Sequence, residues 1–167
     1  SVDADTGRVF QGDRADQAGY PASITKLMTM FLVLEDVKAG KYALTDRATA
    51  SALAARQEPS SVGIKAGQSM TIDDLLYSIM IKSANDAAVV LAEKSAGSVD
   101  AFVARMNEKA AVLGMASTKF VSPNGLPPPR GSKRGFDITT AADLVKLARE
   151  IVRHPAALKY TREATHA

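Results

Sequence analysis

The chain has 167 residues, 46% of them apolar and 23% charged, with no cysteine and no tryptophan. That is the length of one domain, and the lack of cysteine excludes a disulfide-stapled scaffold, thiolate zinc sites and thiol catalysis. The formal charge of +3, from 21 basic and 18 acidic residues scattered along the chain, describes a solvated mixed-charge surface and not a nucleic-acid footprint.

Residues 1–12 read as a hairpin, with Val2-Asp3-Ala4 and Arg8-Val9-Phe10 flanking a tight Asp5-Thr6-Gly7 turn. Ser1-Val2-Asp3-Ala4 shows no basic-then-apolar signal-peptide pattern. Pro21-Ala22-Ser23 opens a helix with apolar residues at Ile24, Leu27, Met28, Phe31, Leu34 and Val37, closed by Gly40. Met30, Leu32 and Val33 make it apolar on nearly all sides, which marks a central buried helix. Its run Met30–Leu34 falls far short of the ~20 residues of a membrane span. From Ala48 to Gln68 the pattern is mixed, an Ala-rich helical piece followed by Pro59, Gly63 and Gly67.

Thr71, with Asp74 three residues on, caps a helix running to about Lys82. Ser83-Ala84-Asn85 interrupts it, and a second helix continues through Val89, Val90 and Leu91 to Gly97. Ser98 caps another, carrying Phe102, Val103, Met106 and Leu113 and ending at Gly114. Lys119 to Gly135 is a surface loop rich in proline and glycine, its basic residues read as solvated. A last helix starts near Thr139 or Thr140 and is stopped at His154 by Pro155. The two histidines, His154 and His166, lie near the C-terminal end, so no metal site and no organic cofactor is expected.

With neither thiol nor central histidine, a nucleophilic enzyme needs a serine or threonine activated by something else, and a neutral lysine amine serves. Ser23 and Lys26 stand three apart, on one side of a helix. Ser23 also sits where free backbone N–H groups and the helix dipole favour developing negative charge. Alone, that spacing carries no weight, because 13 serines and 11 lysines give about one such pair by chance. A second element is Ser83-Ala84-Asn85, a polar break between two apolar helices; Ser83 could also be a plain N-cap of the helix that follows. The other Ser-x-Asn, Ser122-Pro123-Asn124, lies among ordinary turn formers.

Together these segments resemble the serine D-alanyl-D-alanine carboxypeptidases, the low-molecular-mass penicillin-binding proteins. Pro21-Ala22-Ser23-Ile24-Thr25-Lys26-Leu27-Met28-Thr29 looks like their active-site helix, and Ser83-Ala84-Asn85-Asp86-Ala87, 60 residues beyond Ser23, like their second motif. Asp3–Gly7, Gly125-Leu126-Pro127 and Thr139–Leu144 match further segments typical of that family. The resemblance implies an α+β fold of the β-lactamase/DD-peptidase kind, an antiparallel sheet packed on a helical cluster, mostly helical in this piece. It implies Ser23 as nucleophile, Lys26 as general base and Ser83 as proton relay to the leaving amine. Asn85 would hold the acyl chain's amide and orient Lys26, and the Ser23 N–H would form half of an oxyanion hole. The implied partners are peptidoglycan stem peptides and β-lactams, outside the cytoplasmic membrane; no nucleic acid is among them.

The family's third motif, Lys-Thr-Gly or Lys-Ser-Gly, does not occur in these residues. Residues 1–167 are therefore expected to form part of a catalytic domain, mostly helical, whose two strands either pair with a separate chain cut from the same precursor or leave an exposed edge. Without that motif's cation and strand, Lys26 should stay more protonated and acylation should be slow. Ala84 stands where relatives often have glycine, and the Pro127-Pro128-Pro129-Arg130 loop departs from the commoner forms. A class A β-lactamase shares the first two motifs but also needs a downstream Glu-x-x-x-Asn, and no glutamate lies between Glu108 and Glu150. A non-catalytic peptidoglycan-binding relative, the other alternative, conflicts with an intact Ser23, Lys26, Ser83 and Asn85.

Overall fold

A computed structural model describes residues 1–128 and 131–165; Pro129, Arg130 and His166 of the sequence reading lie outside them. The all-round apolar segment becomes α1 (Lys26–Lys38), with Met28, Met30, Phe31, Leu32, Val33 and Leu34 buried. A helix without a polar face must be enclosed. It touches α2 (Ile72–Ile81), α3 (Asn85–Ala96), α4 (Val99–Val112), α5 (Ala141–Val152) and α6 (Pro155–Arg162).

The helix starts follow local chemistry. The hydroxyls of Thr71, Ser98 and Thr140 accept the amides of Asp74, Ala101 and Asp143 at 3.0–3.1 Å, so each satisfies one of the unpaired donors of a first turn. Gly97 and Gly114 take the left-handed conformation that ends α3 and α4.

Four expectations change. The N-terminal hairpin keeps its turn, with Asp3 N–H donating to the Arg8 carbonyl at 2.9 Å, but has a single bridge, Val2 to Val9. It is tied down by Arg149 of α5, whose guanidinium donates to the Ala4 and Asp5 carbonyls, both at 2.9 Å. The mixed stretch after Ala48 forms only a short 3-10 turn, Ala54–Arg56. Around it, β1 (Arg47–Thr49) pairs antiparallel with β2 (Ser69–Thr71) in the register Arg47–Thr71. Three-residue strands are too short to show a sequence period. Lastly, Pro155 stops α5 but also opens α6, because a proline costs nothing at the first helical position, where its missing N–H would be unpaired anyway. Ala157 and Tyr160 of α6 are buried, and Tyr160 donates to Asp73 of α2.

Candidate active site

Ser23 does not lie on α1 itself but in a 3-10 turn, Ala22–Thr25, that leads into it. Side chains three apart eclipse in that geometry, and Lys26 Nζ stands 3.2 Å from Ser23 Oγ. Ser23 is exposed while Lys26 is 2% exposed, so the pair joins solvent to the interior. Ala22, just before the serine, has φ +48°, an uncommon conformation for a residue with a Cβ.

The second acceptor of Lys26 is the backbone carbonyl of Asn124, at 2.8 Å. Both acceptors are neutral, and burial pulls the Lys26 ammonium down to a pKa of about 8, because a charged amine loses its hydration there. Thr29, one turn along α1, donates to the Pro123 carbonyl at 2.6 Å. Gly125 completes this turn: at φ +81° a Cβ would lie 1.9 Å from the Ala22 carbonyl oxygen, so only glycine lets the two backbones meet. The Ser122-Pro123-Asn124 segment is thus no ordinary surface turn. Asn124 is 3% exposed and belongs to the site.

Ser83 and Asn85 sit at the junction of α2 and α3. The N-cap of α3 is Ala84, without a side-chain cap, so Ser83 is not there as a capping residue. It is half-buried with φ +56°. Asn85 is buried; its Nδ2 donates to the Glu58 carbonyl at 2.8 Å and its backbone N–H to the Ser60 carbonyl at 2.7 Å. The expected bond from Asn85 to Lys26 is not among the hydrogen bonds of the described residues. An indirect route links them: Asn124 Nδ2 donates to Gln57 Oε1 at 3.0 Å, and Gln57 is the neighbour of Glu58. The 57–64 segment is further pinned by buried Asp86, whose carboxylate accepts the amides of Val62 and Ile64 at 3.0–3.2 Å.

Sequence reasoning missed Asn124, Gln57 and Asp86. For Asn124, the Asn-Gly pair at 124–125 was the available signal. The contributions of Gln57 and Asp86 are long-range bonds that no local pattern announces.

The whole chain, residues 1–167, matches the family model for D-alanyl-D-alanine carboxypeptidases, the S11 peptidases. The chain belongs to this family. It is 35% identical to D-alanyl-D-alanine carboxypeptidase DacF of Bacillus subtilis over 160 residues, 96% of this chain and 40% of that protein. Among solved structures, the carboxypeptidase DacD of Francisella tularensis superposes with a TM-score of 0.90 at 34% identity, covering 97% of this chain and 38% of that one. Penicillin-binding protein D2 of Listeria monocytogenes, in its ampicillin-bound form, gives 0.83 at 32% identity, covering 97% and 64%. The chain therefore spans about two-fifths of the DacF and DacD lengths. Its fold is that of the penicillin-binding proteins and β-lactamases, as the resemblance implied.

Proposed function

We propose that residues 1–167 carry the nucleophile and base of a serine D-alanyl-D-alanine carboxypeptidase and form the N-terminal part of its catalytic domain. The observation that carries this reading is a buried lysine whose two acceptors among the described residues are neutral, one of them the hydroxyl of an exposed serine. At pH 7 an amine of pKa about 8 is neutral in roughly a tenth of molecules, against roughly 0.03% at its ordinary value. The resulting gain of a few hundredfold in free base is what an unassisted serine needs.

Ser23 Oγ attacks the carbonyl carbon of the D-alanyl-D-alanine bond as its proton passes to Lys26 Nζ. The oxyanion so formed is stabilised by the Ser23 N–H. Collapse breaks the C–N bond, and the departing amine takes a proton through Ser83, which leaves an acyl ester on Ser23. Water then hydrolyses the ester, with Lys26 again receiving the proton. Asn85 has its Nδ2 committed to Glu58, so its Oδ1 is the group that would accept a substrate N–H. A strained β-lactam amide acylates the same serine, in keeping with the ampicillin-bound Listeria relative. With peptidoglycan stem peptides as the proposed substrate, our reading puts the reaction outside the cytoplasmic membrane.

The test is incubation with a fluorescent penicillin, paired with release of D-alanine from a peptide ending in D-Ala-D-Ala. Labelling of the chain as its gene encodes it, lost in Ser23→Ala, is the expected result; labelling that survives this change sinks the assignment. The 167 residues by themselves contain no Lys-Thr-Gly or Lys-Ser-Gly and should be labelled slowly, faster once a segment carrying that motif is supplied. Rapid stoichiometric labelling of these residues alone would refute that point.

A further inference from the structure

The carbonyl that receives Lys26 belongs to a turn whose own support is polar. Asp137, 4% exposed, sends its Oδ1 to the amides of Val121 and Ser122 at 2.6 and 3.1 Å, and its Oδ2 accepts the Ser122 hydroxyl at 2.7 Å. The Ser122 Oγ in turn accepts the Gly125 N–H at 2.8 Å. One carboxylate thus fixes both ends of the 121–125 turn, directly at the first two residues and through Ser122 at the last. Between them lies Asn124, facing Lys26. Away from α1 the turn borders a cavity of about 750 Å³, where Val121, Ser122, Pro123 and Asn124 are themselves wall residues. On that side Gln57, another wall residue, accepts the Asn124 Nδ2 N–H at 3.0 Å.

We infer that Asp137 is a positioning residue for Lys26, acting through Ser122 and the Asn124 carbonyl. This rests on the reading of Lys26 as the base. A neutral amine has two N–H donors and one lone pair. Giving one N–H to the Asn124 carbonyl restricts where the lone pair points, and the free direction includes Ser23 Oγ, 3.2 Å away. If the turn slackens, the amine loses that restraint and water gains access to it. Misplacement of a reacting group by about 1 Å costs as much as 10²-fold in rate.

The experiment uses the full chain as its gene encodes it, with Asp137→Ala, Asp137→Asn and Ser122→Ala. The acylation rate by a fluorescent penicillin is followed across pH, alongside the melting temperature. Lysine ¹³Cε NMR reads the titration of Lys26 in the same variants. Asp137→Ala and Ser122→Ala should slow acylation about 10- to 100-fold and move the Lys26 midpoint upward, since solvent reaches the amine. Asp137→Asn keeps an acceptor oxygen for the two amides and should recover part of the rate. A lower melting temperature with the rate per folded molecule and the Lys26 midpoint unchanged would make Asp137 merely structural and overturn the inference. Should Asp137→Ala not fold, Ser122→Ala decides, because it leaves both amide bonds to Asp137 in place. Labelling that survives Ser23→Ala strikes the underlying reading instead, and the NMR titration then still answers for Asp137 and Lys26.

Discussion

Helix α1 carries two buried charges, and their surroundings are opposite. Lys26 in its first turn has two neutral acceptors. Asp36, near its end and 2% exposed, is held by Arg105 through both oxygens (2.7 and 2.9 Å), by Lys41, by Ser95 and by the Tyr42 hydroxyl at 3.2 Å. Burial pushes the Asp36 carboxyl up, but the hydrogen bonds from Arg105, Lys41 and Ser95 outweigh it and bring the pKa down to about 2. The same helix, equally enclosed at both positions, keeps one group firmly charged and the other within reach of neutrality. A compensated charge fixes structure; an uncompensated one keeps a reactive form available at some cost in stability.

The largest expected effect breaks the Lys26 end. Lys26→Met should reduce penicillin acylation by about 10³-fold, within the range for a lost general base, while the folded chain gains stability. The depressed pKa means that protonated Lys26 disfavours the native state. Removing it should stabilise the chain by up to about 3 kcal/mol at pH 7. Lost labelling together with a higher denaturant midpoint is the signature to look for; a destabilised Lys26→Met chain would contradict the contrast.

Asp36→Ala should do the reverse. It leaves the Arg105 guanidinium, 26% exposed, beside an empty site, and should cost about 3 kcal/mol, a fall of roughly 6–12 °C in melting temperature. Acylation per folded molecule should stay within about threefold. A loss of acylation as deep as that of Lys26→Met would show that the two ends of α1 are not independent.

How much of this was legible in the sequence follows the range of each interaction. The Ser23–Lys26 pair and the caps at Thr71, Ser98 and Thr140 span three residues each, and residue type and spacing give them away. Asp36 showed no such signal, because Arg105 lies 69 residues further on. The Asn124 carbonyl is 98 residues from Lys26, and a backbone carbonyl carries no residue-type signature at all. Asp86 and Asp137 are spent on amides of distant loops, where any sequence serves as donor. The helices were readable from periodicity, whereas β1 and β2 depend on each other's register and on nothing local.

Next in size is the dependence of stability on pH, which should separate the two groups. The folded pKa of Asp36 is about 2, below its unfolded value of 3.8, so its contribution is full above pH 4. It is lost as pH falls to 2, about 2 kcal/mol in all. Lys26 is lowered from 10.5 to about 8. The unfolded chain therefore binds more protons between those values, and stability contributed by this group should rise from pH 8 to pH 10.5. Denaturation curves of wild type and Lys26→Met should differ most below pH 8 and converge towards pH 10.5. Parallel curves throughout would mean that Lys26 titrates normally in the folded chain.

The smallest effect is the sharpest comparison, since it deletes one hydroxyl at each end of α1. Tyr42→Phe removes one of several donors to the Asp36 carboxylate. Arg105, Lys41 and Ser95 remain, so the charge persists and the loss should be about 1 kcal/mol, typical of a single bond among many. Acylation should not change. Ser23→Ala removes a bond of the same 3.2 Å length, donated by Lys26 to an exposed and uncharged hydroxyl, and stability should move by less than about 0.5 kcal/mol, yet labelling should vanish. Paired urea denaturation with unchanged slopes would measure both costs on one scale. A Ser23→Ala loss larger than that of Tyr42→Phe would mean that the serine supports the fold as well as the reaction, and the division of labour along α1 would no longer hold.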